Sequence, residues 1–170
     1  MEALTEQLGQ GDMSPENLDR ANINPQTGLA TDYLNHFNEV VMMLEMLPDI
    51  PDCASDVLLW EPCSYEEHFE NSGFSEKRLA IKAYGACPEH LRDALCQTVA
   101  LIDAEVISLK ALIENAEALT SEVLFEIQHR ATTFVRPLIS QASGIIHGHV
   151  PESSDDLDEF TQADVDALFP

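Results

Sequence analysis

The sequence predicts an all-α protein: a helical bundle built on a long antiparallel helical hairpin, with flexible N- and C-terminal tails. Three observations predict it. From Pro88 to His149, apolar residues recur at three- and four-residue steps on either side of a short turn at Asn115–Thr120. No strand-like alternation of apolar and polar residues is long enough to build a sheet. The ends differ from the middle: residues 1–28 are polar without a helical stripe, and the stretch after Val150 is acidic and poor in apolar residues. The expected organisation is an N-terminal arm (1–28), a bundle domain (29–149), an acidic linker (150–160) and a terminal amphipathic helix (161–170).

Within the arm, Ser14-Pro15-Glu16 has the form of a helix opening, and Asn24-Pro25-Gln26-Thr27-Gly28 reads as a turn. Thr31-Asp32 then caps a helix that runs to Leu47 and stops before Pro48. Its apolar face is Tyr33, Phe37, Val40, Val41, Leu44 and Leu47, with Met42, Met43 and Met46 as adaptable bulk. His36 flanks that face and is expected as a core-edge histidine with a local hydrogen bond. Pro48 to Pro62 is a proline-bracketed connection whose Trp60 should plug the end of the bundle. Ser64-Tyr65-Glu66-Glu67 has capping-box form and opens a short helix closed at Gly73. Ser75 opens another, closed at Gly85, with Leu79, Ile81, Ala83 and Tyr84 as its apolar set.

The first arm of the hairpin starts at Pro88, whose fixed φ suits a first helical residue. Leu91, Leu95, Thr98, Ile102, Val106, Leu109 and Ile113 share one face. A small-residue seam (Ala100, Ala104, Ile107, Ala111) runs along the opposite side and is expected to be packed by another helix or by a second copy in a homodimer. The second arm opens at Thr120–Ser121, with a stripe of Leu124, Ile127, Ala131, Phe134, Leu138, Ala142 and Ile145. Pro137 inside that stripe should kink or split it. Helix is expected to end near His147, beside Gly144 and Gly148.

The chain has 8 basic and 31 acidic residues, a net charge of −23. Such a field repels phosphate backbones and anionic membrane surfaces, which argues against nucleic acid or membrane as partner; it serves solubility first, and a protein partner, where there is one, is expected to offer a basic surface. Cys53, Cys63, Cys87 and Cys96 lack C-x-x-C spacing, and no signal-peptide run or membrane span is present; reduced thiols in a cytoplasmic protein are expected. Glu126 and His129 have the E-x-x-H spacing of di-iron bundles, but one such motif without partners does not make a site, and both lie off the apolar stripe. His147 and His149 are a further pair without additional ligands, and Glu105 at the stripe's edge should reach solvent or pair with a cation. No metal or cofactor is expected. Nucleophile elbows, phosphate-cradling glycine loops and dinucleotide fingerprints are absent.

The last residues carry the most specific pattern: Thr161-Gln162-Ala163-Asp164-Val165-Asp166-Ala167-Leu168-Phe169. This stretch resembles the response-regulator docking peptide of bacterial flagellar switch proteins, S-Q-x-[DE]-[IV]-D-A-L-[LF], and an acidic terminal helix in the chemotaxis phosphatase family. The resemblance implies a short helix that docks on a receiver domain. The residue chemistry agrees: Thr161 caps, Asp164 complements the helix dipole, and Val165, Leu168 and Phe169 share one side. Gln162, Asp164 and Asp166 would then meet a basic rim.

The same phosphatase family is a dimerising helical hairpin followed by a flexible linker and a docking helix. Its signature is D-x-x-x-Q, in which the acid engages a receiver lysine and the glutamine orients the attacking water. Asp93-Ala94-Leu95-Cys96-Gln97 has that spacing, on the side of the helix away from the main stripe, while the residues around the family's motif are not reproduced. Three functions are therefore in play. The first is a non-catalytic cytoplasmic signalling adaptor in a bacterial two-component or chemotaxis system, binding a receiver through its tail. The second is a phosphatase acting on the receiver's aspartyl phosphate, with Asp93 and Gln97 catalytic. The third is an acidic mimic of nucleic acid that inhibits a DNA-binding protein.

Overall fold

The computed structural model describes residues 7–150, and its regular structure is helical. In chain order the helices are α1 (Pro15–Arg20), α2 (Asn35–Met46), α3 (Ala54–Leu59), α4 (Tyr65–Asn71), α5 (Lys77–Gly85), α6 (Glu89–Asn115), α7 (Ser121–Arg130) and α8 (Arg136–Ile146). Short 3₁₀ turns precede α1, α2 and α3. The extended pairing among the described residues is one isolated antiparallel bridge, Ile23 with Ala30.

The long helix α6 forms the spine. The seven residues of its expected stripe, Leu91, Leu95, Thr98, Ile102, Val106, Leu109 and Ile113, are all buried. Pro88 is its N-cap, not its first residue. Lys110 is buried beside the stripe, and its ammonium donates to the Trp60 carbonyl at 2.6 Å and to Glu61 at 3.3 Å. Each of those bonds satisfies a charge that would be costly to bury alone. Among the described residues the opposite seam is left largely uncovered: Ala100, Ala104 and Ile107 are exposed and Ala111 is half-buried.

Contacts between α6 and the following arm pair later residues with earlier ones. Arg130 meets Glu105 (Nε–Oε1 2.9 Å), and Gln141 donates to Thr98 (3.0 Å). Thr120 caps α7 by accepting from the Val123 N–H. At Ala131–Val135 the helix widens into a π-turn, with the Arg136 N–H bonded back to the Ala131 carbonyl. Pro137 is the physical reason. It has no N–H to give Thr133, and its ring would collide with that carbonyl in a regular α-helix; widening the preceding turn removes the conflict without splitting the arm. The extra residue advances the stripe by one position over the next two turns, and Ala142 and Ile145 beyond them are buried as expected. Val135 and Ile139 are buried where Phe134 and Leu138 were expected, and Phe134 is 56% exposed. The bulge is pinned to α2 by Glu45, whose carboxylate accepts from both Nε and Nη2 of Arg136 and from the Thr132 hydroxyl. Arg136 accordingly holds Glu45 below its usual pKa. Helix α8 ends in a Schellman motif: Gly148 adopts φ +94°, its N–H reaching the Ile145 carbonyl, while the His149 N–H reaches that of Gly144.

Residues 7–28 are not the flexible arm expected. Met13, Leu18, Ile23 and Leu29 are fully buried, although they never line up as a helical stripe. Ser14 caps α1, and the Asn24 carboxamide closes the expected turn by accepting from the Gln26 and Thr27 N–H groups. The segment is stitched to the last turn of α8 by the Thr27 hydroxyl, which donates to the Ile146 carbonyl at 2.7 Å. Gly28, at φ +76°, lies so close to α5 that an added Cβ would stand 2.6 Å from the Ala83 carbonyl oxygen. Asp32, expected as a cap, instead pairs with His68 at 3.0 Å.

Candidate functional site

Two faces of α6 present chemistry. Residues spaced by four, Asp93, Gln97 and Leu101, lie on one of them, and all three are exposed. Together with His90, Gln141 and Val150 they line a shallow groove. Among the described residues, neither Asp93 nor Gln97 is held by a hydrogen bond or ion pair, while Gln141 is committed to Thr98. Asp93 and Gln97 thus stand one turn apart on open surface, next to the point where the chain leaves α8 at Val150. The tail residues Thr161, Gln162, Asp164, Val165, Asp166, Leu168 and Phe169 lie outside the described residues.

The neighbouring face of α6 is a turn fraction away and carries Cys96, Val99, Ala100 and Asp103. It forms one wall of a cavity of about 400 Å³. The segment Pro62–Tyr65 forms a second wall, and Tyr33 and Tyr84 complete it. Tyr33 is buried, and its hydroxyl donates to the Cys63 carbonyl at 2.9 Å. Tyr84 stacks on Tyr65 with ring centroids 4.4 Å apart, and its hydroxyl lies 3.6 Å from the Cys96 sulfur. Tyr65 in turn accepts from the Ala30 N–H at 2.8 Å, so the pocket wall is tied to the chain's N-terminal segment.

Asp103 is the unusual group. Its Oδ1 is buried and has no hydrogen-bond partner. Loss of water around it raises its pKa from 3.8 to about 6. The same dry surroundings push the thiol of Cys63 upward and that of Tyr84's phenol well above its ordinary value. The pocket thus sets the half-buried Asp103, one of whose carboxylate oxygens is buried, beside the Tyr33 and Tyr84 hydroxyls and the Cys63 thiol, with the exposed Glu67 also on its lining.

Behind Tyr33 lies a second cluster. The His36 ring stacks on Trp60 at 4.6 Å, and the Trp60 indole N–H donates to the His36 carbonyl. His36 Nε2 is buried without a partner, so the local hydrogen bond expected for this histidine is not made by that atom. Burial, reinforced by the charge of nearby His68, lowers its pKa from 6.5 to about 4. It is a half-buried histidine at the edge of the core, neutral at ordinary pH.

Other candidates resolve simply. Glu126 and His129 are exposed, and Glu105 pairs with Arg130. All four cysteines are free, with Cys87 buried and Cys96 exposed. No group of three or more His, Cys, Asp or Glu among the described residues could hold a metal ion. None of their helices is long and apolar enough to cross a membrane. Sequence reasoning missed Asp103 and the tyrosine pocket because its walls come from four separate segments. A trace was legible: Cys96, Ala100 and Asp103 fall on one helical face beside the stripe. Comparison with protein-family models, curated proteins and solved structures finds no match, so the functional reading rests on the residues of this chain.

Proposed function

We propose that this chain is a signalling adaptor that binds a response-regulator receiver domain through its C-terminal peptide, presented by a helical body. The observation that carries this reading is the sequence Thr161–Phe169, whose acidic and apolar positions match a receiver-docking helix. The body is read as an antiparallel hairpin of α6 against α7–α8, which the Glu105–Arg130 and Thr98–Gln141 pairs support. Residues 150–160 would serve as the linker between body and peptide. The net charge of −23 favours a partner with a basic surface.

A second reading, dephosphorylation of the docked receiver, is favoured by one further observation. Asp93 and Gln97 are exposed and uncommitted in a groove that Val150 also lines, so the linker would start beside them. A receiver held by the tail would be delivered near that groove. Gln97 would orient the water that attacks the phosphoryl group, and Asp93 would engage the receiver's lysine.

One experiment addresses both. The full chain is titrated against receiver domains with and without an acyl-phosphate mimic, alongside the double variant Leu168→Ala, Phe169→Ala. Affinity should rise with the mimic and fall at least tenfold in the variant, since two buried apolar anchors of a short helix are lost. Equal binding by the variant overturns the reading. If the wild type also speeds loss of the aspartyl phosphate and Gln97→Ala does not, while still binding, the second reading replaces the first.

A further inference from the structure

The tyrosine pocket lies on a different face of α6 from the Asp93–Gln97 groove, and its reading does not rest on receiver docking. Its features converge on one kind of ligand. It is concave, and at about 400 Å³ it falls in the size range of small-molecule sites. Leu95, Val99 and Pro62 give it an apolar lining, and Tyr33 and Tyr84 give it aromatic faces. Two carboxylates line it, the exposed Glu67 and the half-buried Asp103, and of their oxygens Asp103 Oδ1 is the one that is buried without a partner. The two phenol hydroxyls of the lining are otherwise engaged. The Tyr33 hydroxyl gives its proton to the Cys63 carbonyl, and the Tyr84 hydroxyl is paired with Cys96.

A buried acceptor without a donor is a cost the fold carries with no return in stability. A ligand that brings a charged N–H donor into the pocket removes that cost. It also gains from the tyrosine ring faces, which attract cations, and from the strongly negative field of the whole chain. Anionic ligands meet the opposite: they would face the Asp103 charge and the −23 net charge together. The mouth of the pocket is open, because Cys96 and Ala100 on its rim are exposed.

We propose that the Tyr33–Tyr84–Asp103 pocket binds a small amphipathic cation, an aryl or alkyl ammonium compound whose charged nitrogen pairs with Asp103 and whose apolar body lies against Leu95, Val99 and the tyrosine rings.

The test uses the full chain and three probes of one shape: 2-phenylethylammonium, the neutral 2-phenylethanol and the anionic phenylacetate. Binding is followed by calorimetry and by amide shifts in an isotope-labelled sample. The cation should bind saturably, at least tenfold more tightly than the alcohol, with shifts centred on Cys96, Ala100 and Asp103, and phenylacetate should not bind. In Asp103→Asn the preference for the cation should vanish, with the alcohol's affinity unchanged. Ala100→Phe fills the rim from an exposed position and should weaken cation and alcohol alike, which locates the site even if Asp103→Asn folds poorly. Absence of saturable cation binding overturns the proposal. So does full retention of the cation preference in folded Asp103→Asn, or unchanged binding in Ala100→Phe.

Discussion

Asp103 and His36 show how single half-buried groups tie stability to pH in opposite directions. Asp103 holds its proton more tightly folded than unfolded, with a pKa raised to about 6 by desolvation. Its contribution is full below its ordinary value of 3.8 and is lost as pH rises through about 6. His36 is depressed to about 4, so its contribution is present above 6.5 and is lost as pH falls toward 4. Replacing Asp103 by Asn keeps the shape and removes the first effect. Relative to wild type, Asp103→Asn should gain on the order of 1 kcal/mol between pH 4 and pH 7.5, a figure discounted for solvent screening at the pocket's open side. Chemical denaturation of both proteins at the two pH values checks this. A stability difference that does not change with pH would mean that Asp103 titrates normally. A carboxylate whose removal stabilises the fold is the kind of residue retained for binding rather than for packing.

Between residue and fold, the α7–α8 arm shows how one imino acid sets which side chains reach the core. Pro137 is visible in the sequence, and so is the conflict it creates with a regular helix. How that conflict is relieved is decided by the neighbours. Glu45 on α2 offers both carboxylate oxygens to Arg136 and Thr132, and its main-chain carbonyl accepts from Gln128, which together hold the widened turn. The turn carries Val135 inward and Phe134 outward. The expected outcome is an inversion of the usual size rule. Val135→Ala should cost about 2 kcal/mol through its cavity, while Phe134→Ala should change stability by about 0.5 kcal/mol or less. Comparing the two midpoints in urea decides it; a larger loss at Phe134 would return the arm to the regular α-helical register.

For the whole molecule, the N-terminal segment matters most. Leu18, Ile23 and Leu29 contribute to the same core as α6 and α8, and Thr27 bonds to the last turn of α8. The Tyr65 hydroxyl that accepts from Ala30 also stacks its ring on the pocket's Tyr84, so this segment supports the pocket as well. Leu18→Ala should therefore cost about 2–5 kcal/mol, as for any fully buried leucine, whereas a free arm would give a change near zero. Thermal melts of the variant separate the two.

What the sequence determined by itself was anything written in local periodicity. The all-α class, the α6 stripe in all seven positions, and the Ser14, Ser64 and Thr120 caps were legible, because helix register and capping depend on residues within a few positions of one another. Tertiary structure alone decided the rest. Residues 7–28 have isolated apolar side chains whose burial depends on surfaces formed far along the chain, and no period announces them. The phase change at Ala131–Val135 depends on Glu45 arriving from another helix. The pocket around Asp103 exists only where α6, the Pro62–Tyr65 segment and two distant tyrosines meet. A carboxylate's solvation, unlike its place on a helical wheel, is a property of everything packed around it.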